Sequence, residues 1–317
     1  MREIAAVNNS AFTSSIAVES IAAAHRISTI LGLPDAHENW TEITTPGRLF
    51  VPFNSSLNYH PEFDGYEQGM VTRQADVQFM QYPLQTPMPA QVAANDMALY
   101  DKVLHGPSMT YPFFAINYLQ LANRPELASQ RPMYLEKAAA EFVKSYSLLL
   151  PNFYSFLEGA GCGPKWEGHG GGGMCTPHFT TGMGGFIQGI MSGYGGVRFT
   201  HDTLTLTPNL PPNTTRLTIA GIHFRGASLS LIVSASQAEV RLVRAPQSGL
   251  EMRCALTSLR LMIALPLKVC TSDTLRSWSL VHRYVTPADV AASVRLTLNA
   301  TVAAKLGSLA TCSVPRP

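Results

Sequence analysis

The spacing of apolar residues changes near Gly196, and this change limits the folds that the chain can adopt. Before Gly196, apolar residues recur every three, four or seven positions, which is the spacing of a buried helical face. After Gly196, they alternate with polar residues between turns such as NLPPN at 209–213, which predicts short antiparallel strands. The sequence therefore predicts a mainly α protein with a small antiparallel β domain. We assign residues 1–196 to the helical part and 197–245 to the β domain, with no predicted fold for 246–317.

Long loops rich in Pro and Gly join six predicted helices. In the first helix, Ile16, Ile27 and Ile30 form one apolar stripe that is expected to face the core, and Gly32 ends the helix. In the fifth helix, an apolar face that includes Phe142 is expected to be buried, whereas Glu141 is expected on the exposed face. The predicted helices cover residues 10–32, 73–82, 92–104, 111–122, 131–151 and 184–193.

Charge and hydropathy exclude two classes of partner. The net charge is +2, and the chain has no Lys/Arg cluster of the kind that binds phosphate backbones. The most apolar stretch, LRLMIALPLKVC at 259–270, contains Arg260, Pro266 and Lys268. It is also shorter than the roughly 20 residues that a membrane-spanning helix needs. We therefore predict neither a nucleic-acid partner nor a membrane partner.

Cysteines and glycosylation triplets leave the compartment open. The five cysteines are odd in number and widely spaced, so they do not form the disulfide framework of a small secreted domain. Five asparagines begin an N-x-S/T triplet, the acceptor for N-glycosylation in a lumenal chain. A cytoplasmic location fits the cysteines, and a secretory or vacuolar one would follow if the triplets are used. The five triplets begin at Asn8, Asn39, Asn54, Asn213 and Asn299.

Glycine-rich segments suggest two other chemistries, neither of which is supported by a second motif. Fifteen of the 24 glycines lie between Gly159 and Gly196. HGGG at 169–172 resembles the oxyanion-hole segment of some esterases, but the G-x-S-x-G nucleophile motif is absent. Cys162, His169, Cys175 and His178 could in principle bind zinc, but their spacing matches no common zinc signature. We predict no metal and no cofactor.

Carboxylates near aromatic side chains are typical of enzymes that cleave glycosidic bonds. One carboxylic acid protonates the leaving oxygen, a second carboxylate activates water or attacks the sugar, and aromatic rings stack on the sugar. For any one carboxylate a helix cap or a surface charge is the more common role, so the residue types alone do not choose among them. The candidates are Glu62, Asp64, Asp76, Asp96 and Glu158.

A series of motifs extends along the chain from about residue 7 to residue 240. They are VNNSAFT at 7–13, HPEFDGY at 60–66, RQADVQFMQYPL at 73–84, GPSMTYPFFAI at 106–116, TTGMGGFIQGIMSGYGGVRF at 180–199 and PNLPP at 208–212. In this order they resemble the C-terminal part of the catalytic domain of glycoside hydrolase family 65. That family includes acid trehalases, maltose and kojibiose phosphorylases, and the glucosidase that acts on glucosylgalactosyl-hydroxylysine.

The resemblance implies a barrel of six inner and six outer helices, an (α/α)6 barrel, followed by a small β domain. The six predicted helices would supply about half of such a barrel. The other half, and the β-sandwich that precedes the barrel in the family, would have to lie upstream of Met1. The usual packing partners of the first helix would lie there too, so Ile16 and Ile27 are expected to be partly exposed in this chain. The implied partner is a carbohydrate, either an α-glucosyl disaccharide or a glycan.

The resemblance also implies roles for particular residues. The loop with His60 and Asp64 would lie beside the sugar pocket, and Gln74 would contact the terminal glucose. Arg73 stands where the family has Lys, so that contact changes from a compact ammonium to a planar guanidinium. FYSFLE at 153–158 matches the family segment that supplies the catalytic base, which makes Glu158 the candidate general base. Glu167 in KWEGHG is the rival, because the loop before FTTGMGG is longer than in some relatives.

The general acid of the family lies in an Asp-Glu-aromatic triplet, and the matching position here is Arg2. GPSMT at 106–110 resembles the hydrolases, whereas the phosphorylases have a Ser-rich phosphate-binding loop at this place. The sequence therefore predicts an inverting α-glucoside hydrolase, similar to protein-glucosylgalactosylhydroxylysine glucosidase or to acid trehalase, in a truncated chain without its acid. An inactive fragment or a sugar-binding paralogue is the alternative, and a disaccharide phosphorylase is a further one.

Overall fold

The computed structural model divides the chain into two compact units, Met1–Phe186 and Ile187–Pro317. It describes residues 7–33, 42–43, 48–72, 75–103, 107–147, 149, 155–159, 178–200, 203–235 and 237–244, together with five strands further along the chain, at 252–257, 260–264, 283–284, 293–297 and 310–314. None of the helices within these residues is long and apolar enough to cross a membrane. The predicted domain boundary after residue 196 stays a prediction.

Within the described residues of unit one, the regular secondary structure consists of helices. Its helices are α1 (Ala11–Leu31), α2 (Asp76–Gln81), α3 (Ala90–Tyr100), α4 (Thr110–Ala122) and α5 (Arg131–Ser147), and α6 (Thr180–Gln188) begins in this unit. A 3-10 helix, Pro125–Gln130, leads into α5. The predicted mainly α fold is confirmed, and the helices begin and end within a few residues of the positions expected from the apolar spacing.

Local sequence explains the ends of α1. The Ser10 hydroxyl accepts a hydrogen bond from the Thr13 amide at 3.4 Å, which satisfies one of the unpaired amides of the first turn. Gly32 adopts a left-handed conformation, with φ of 65°, and its amide donates to the last turn. Glycine takes this conformation without a steric penalty, so it ends the helix as predicted.

One apolar face agrees with the expectation and another differs from it. On α1, Ile16 and Ile27 are 39% and 56% exposed, as expected for this chain, and Ile30 is 53% exposed. The α1 side chains that pack on the rest of the unit lie on another side, where Phe12 contacts Phe79. On α5, the buried face includes Glu141, so the prediction of an exposed Glu141 was wrong. Lys144 lies 2.5 Å from the Glu141 carboxylate and compensates its charge, which permits the burial.

Unit two contains two sheets. The strands are β1 (Arg198–Phe199), β2 (Thr203–Leu206), β3 (Arg216–Phe224), β4 (Ala227–Ser234), β5 (Gln237–Arg244), β6 (Met252–Thr257), β7 (Arg260–Ala264), β8 (Arg283–Tyr284), β9 (Ser293–Thr297) and β10 (Ala310–Val314). The strand orders are β1-β2-β7-β6-β10-β8 and β3-β4-β5-β9. Every described pairing is antiparallel except that of β10 with β8.

One apolar cluster contains residues of both sheets. Leu204 and Leu206 of β2 are almost fully buried together with Leu229 and Leu231 of β4. The predicted alternation is confirmed on β4 from Leu229 to Val233, whereas on β2 the intervening Thr205 is also buried. Strands β6 to β10 lie in the part of the chain, 246–317, for which the sequence predicted no fold.

Candidate active site

The loop HPEFDGY is hydrogen-bonded to the residues at the start of α1. The Ala11 amide donates to the Glu62 carbonyl at 2.9 Å, and the Asp64 amide donates to the Asn8 carbonyl at 3.1 Å. The Asn9 side-chain amide also donates to the Asp64 carboxylate. These bonds bring the motif VNNSAFT to the motif HPEFDGY, although 46 residues, 14–59, lie between the two motifs.

A second set of hydrogen bonds joins His60 to two residues of α3, Asp96 and Tyr100. Asp96 is fully buried, and its carboxylate accepts from the His60 amide at 2.8 Å. The other carboxylate oxygen lies 2.8 Å from His60 Nδ1. The Tyr100 hydroxyl donates to the His60 carbonyl at 2.8 Å. Burial raises the pKa of Asp96, and the bonds with His60 oppose part of that effect.

Glu62 of this loop and Asp76 are two further carboxyl groups with raised pKa values. Burial, followed by the charge of Asp76, raises the pKa of Glu62 to about 7. Burial also raises the pKa of Asp76, the first residue of α2. Raised carboxyl pKa values are a property of catalytic sites, although structural carboxyl pairs also show them.

Glu158 lies in a second cluster, between the start of α4 and the start of α6. The Ser108 amide donates to the Glu158 carbonyl at 2.6 Å, and the Ser108 hydroxyl donates to the Leu157 carbonyl, also at 2.6 Å. The Phe179 amide donates to the Phe156 carbonyl at 3.0 Å. These bonds bring the motif GPSMT and the motif FTTGMGG to the segment that carries Glu158, which is itself half-buried.

Ser155 and His178 complete this second cluster. The Ser155 hydroxyl lies 2.8 Å from His178 Nδ1, and Ser155 is buried. The sequence indicates His178 only as a possible zinc ligand and gives no indication of a role for Ser155. No local signal could have paired them, because the two positions are 23 residues apart in the sequence and a contact at that separation depends on the tertiary fold.

The structure places three of the six predicted site residues. His60 and Asp64 lie in the same loop, and Glu158 lies in the second cluster. Arg73, Gln74 and Glu167 lie outside the described residues, so the roles given to them stay predictions, as does the choice between Glu158 and Glu167. Among the described residues, no group of three or more His, Cys, Asp or Glu side chains could hold a metal ion.

Comparison with known proteins identifies the family. The model of the glycosyl hydrolase family 65 C-terminal domain matches residues 197–261. Protein-glucosylgalactosylhydroxylysine glucosidase of Gallus gallus is 30% identical over 242 residues, which are 76% of this chain and 31% of that protein. These matches place the chain in glycosyl hydrolase family 65. The periplasmic/secreted acid trehalase of Candida glabrata is 28% identical over 211 residues, 64% of this chain and 16% of that protein.

A solved structure of a family 65 protein agrees with the fold. The protein named "Putative kojibiose phosphorylase from human microbiome" aligns with a TM-score of 0.55 at 13% sequence identity. The alignment covers 74% of this chain and 34% of that one. At this identity the similarity shows the fold alone. The chain spans less than a third of the length of both curated family 65 relatives described above.

Proposed function

We propose that this chain carries part of the active site of a glycosidase that hydrolyses an α-glucoside with inversion at the anomeric carbon. In this proposal Glu158 is the general base that removes a proton from the attacking water. His60, Asp64, Arg73 and Gln74 bind the sugar. Inverting glycosidases hold their two carboxyl groups roughly 6.5–9.5 Å apart, which leaves space for that water.

The contact of Ser108 with the Glu158 segment is the observation that best supports this proposal. It brings GPSMT, a segment typical of the family's hydrolases, directly to the candidate base. Ser108 is only 3% exposed, and its hydroxyl proton is already donated to the Leu157 carbonyl. A hydroxyl in this arrangement cannot donate the same proton to a phosphate ion. Water is therefore favoured over phosphate as the acceptor.

The proposed substrate class follows from the relatives. The Gallus gallus protein is named for a glucosyl-galactosyl unit on hydroxylysine, and the Candida glabrata protein is named for trehalose. HPEFDGY and GMGGFIQ resemble the former more closely, whereas NLPP resembles the trehalases. We propose glucosyl-galactose linked to hydroxylysine as the preferred substrate and trehalose as the alternative substrate.

The test uses α-glucosyl fluoride, because fluoride leaves with little help from a general acid. We expect the 317-residue chain to release fluoride, and we expect proton NMR to show the β anomer of glucose first. Glu158→Gln should lower kcat by about 10²- to 10⁴-fold, the usual contribution of a general base. Glu126→Gln is the matched control, because Glu126 is an exposed carboxylate in the 3-10 helix.

Each outcome of this test has a definite meaning. The α anomer as first product would exclude inversion, and glucose 1-phosphate formed on addition of phosphate would favour a phosphorylase. An active Glu158→Gln variant would move the base to Glu167 or elsewhere. No fluoride release by the unsubstituted chain would overturn the proposal and favour an inactive family member that at most binds sugar.

A further inference from the structure

The segment that carries Glu158 has no helix or long strand to fix its direction. Residues 156–159 lie outside regular secondary structure, and Ser155 forms only a single bridge. In a helix or a sheet, each carbonyl is held by a repeated pattern of backbone bonds. Here the direction of the chain depends on individual contacts, so the residues that make those contacts determine where the Glu158 side chain begins.

Ser108 makes two of those contacts, and they fall on consecutive carbonyls. Its hydroxyl donates to Leu157 and its amide donates to Glu158, each at 2.6 Å. The two bonds hold the peptide groups on either side of the Glu158 Cα atom. They therefore fix the rotation of the backbone at this atom, from which the Cα–Cβ bond of Glu158 extends. A carboxylate with three rotatable side-chain bonds reaches a defined place only if this starting point is fixed.

Gly182 of α6 provides the space in which Ser108 lies. A Cβ atom at residue 182 would be 3.3 Å from the Ser108 hydroxyl oxygen and 2.9 Å from the Phe179 ring. These distances are tighter than ordinary van der Waals contact. Three motifs of the sequence, GPSMT, FYSFLE and FTTGMGG, therefore meet at Ser108.

We propose that Ser108 is a positioning residue that directs the Glu158 carboxylate by holding the carbonyls of Leu157 and Glu158. This inference rests on the proposed function, in which Glu158 is the base. Ser108 does not contact the reacting atoms in this scheme. Its hydroxyl acts through the main chain, so its loss should leave sugar binding largely intact and slow the chemical step.

The decisive variant is Ser108→Ala, assayed with α-glucosyl fluoride in the full 317-residue chain. We expect kcat to fall about tenfold or more, because small displacements of a catalytic group are known to cost up to about 10²-fold. We expect KM to change less than twofold. Ser108→Thr keeps the donor hydroxyl and should recover most of the lost kcat.

Ser145→Ala is a matched control for loss of a buried serine bond. Ser145 is 2% exposed, and its hydroxyl donates to the Phe142 carbonyl at 2.6 Å within α5. Both substitutions remove a buried hydroxyl bond of the same length. Only Ser108→Ala should lower kcat, whereas both should lower the free energy of unfolding to a similar extent.

Gly182→Ala provides an independent perturbation of the same contact, with Gly184→Ala as its control. A Cβ at residue 184 would meet nothing within 4 Å. Gly182→Ala should push on Ser108 and Phe179 and should lower kcat, whereas Gly184→Ala should not. This pair tests the positioning role without changing Ser108 itself.

The outcomes separate this inference from the proposed function. If Glu158→Gln is inactive while Ser108→Ala keeps the kcat of the unsubstituted chain, the positioning role is wrong and the proposed function stands. If the unsubstituted chain does not release fluoride, the proposed function fails first. Amide hydrogen exchange at residues 155–159 then tests whether Ser108 holds this segment. If it does, exchange is faster in Ser108→Ala than in the unsubstituted chain and is unchanged in Ser145→Ala; no increase in Ser108→Ala would overturn the inference.

Discussion

At the scale of single residues, the buried carboxylate of Asp96 holds the first residue of the HPEFDGY loop, because it contacts both the amide and the ring of His60. The sequence placed both residues among the candidates, but their pairing joins positions 36 residues apart. A buried carboxylate with two bonds to one histidine is a product of tertiary packing. The same holds for Ser108, which sequence analysis named only as part of the motif GPSMT.

Asp96→Ala should strongly destabilise unit one. It removes the acceptor of the His60 amide in a fully buried site, and leaving a buried donor unsatisfied costs about 1–3 kcal/mol. We expect the free energy of unfolding in urea to fall by at least about 2 kcal/mol. Asp101→Ala is the control, because Asp101 is partly exposed in its ion pair with Lys137 and such pairs contribute about 0–1 kcal/mol. Equal losses in the two variants would contradict the structural role of Asp96.

Glu62→Gln should change how stability depends on pH. The pKa of Glu62 is raised from 4.5 to about 7, so the folded state binds its proton more tightly than the unfolded state. The stability from this group is fully present below pH 4.5 and is lost as pH rises to about 7. Glutamine resembles the protonated form, so the variant should be more stable than the unsubstituted chain at pH 8, with a smaller difference at pH 5.

The measurement is the unfolding midpoint in urea from pH 4.5 to pH 8. Glu67→Gln is the control, because Glu67 is an exposed carboxylate in the same part of the chain. Asp76 keeps its own raised pKa in the variant, so part of the fall in stability with pH should remain. An unchanged pH profile in Glu62→Gln would show that this carboxyl group does not titrate in the expected range.

At the scale of helices and strands, periodicity predicted the elements better than it predicted their faces. The helices lie close to their predicted positions, and on α1 Ser10 and Gly32 mark the two ends. On α5 the predicted Phe142 is buried, together with Tyr134 and Ala138, which lie at helical spacing from Glu141. Glu141 therefore lies on the buried face. The apolar spacing predicts the opposite, but Lys144 compensates the charge of the buried carboxylate.

Strand β3 shows a departure from period two that has a physical cause. Ile219 and Ile222 are both buried although three positions separate them, and the pairing with β4 shifts between them. A bulge absorbs the extra residue, and Gly221 there adopts a positive φ of 74°. The strands after residue 246 lack clear alternation in the sequence, so only the structure places them.

The packing of α6 on α4 gives a test in which neighbouring glycines have opposite effects. A Cβ at Gly185 would lie 2.9 Å from the Pro112 ring, whereas a Cβ at Gly184 would meet nothing within 4 Å. We expect Gly185→Ala to lower the melting temperature, because α6 must move away from α4. Gly184→Ala should raise it, since alanine favours a helix over glycine by about 1 kcal/mol. Calorimetry on both variants checks this, and a gain in both would contradict the close packing.

At the scale of the whole molecule, the sequence predicted the order of helices followed by strands because the hydrophobic period changes once. It did not predict which faces would be covered, since that depends on all neighbours of a helix. The buried Glu141 of α5 illustrates this point. The motif order gave the family, which the comparisons then confirmed, whereas the pairing of residues into two clusters required the three-dimensional structure.

The acid requirement of the reaction is a property of the whole chain and gives the last prediction. None of the 317 residues forms an Asp-Glu-aromatic triplet, the place of the general acid in the family that this chain resembles. A disaccharide needs protonation of its leaving oxygen, and a general acid contributes typically about 10²- to 10⁴-fold. We therefore expect release of glucose from glucosyl-galactose and from trehalose to stay near background, while α-glucosyl fluoride is turned over.

Adding a family-type segment with this triplet upstream of the chain should restore disaccharide hydrolysis. The ratio of disaccharide to fluoride turnover should then rise, because only the disaccharide depends on the acid. Glu158→Gln in the extended chain should lower both activities by about 10²- to 10⁴-fold, since the proposed base is needed for either leaving group. Coupled glucose assays and a fluoride electrode measure the two rates in parallel. Efficient disaccharide hydrolysis by the 317 residues alone would mean that another carboxyl group of this chain acts as the acid, and the half-buried Glu62 would be the first to substitute.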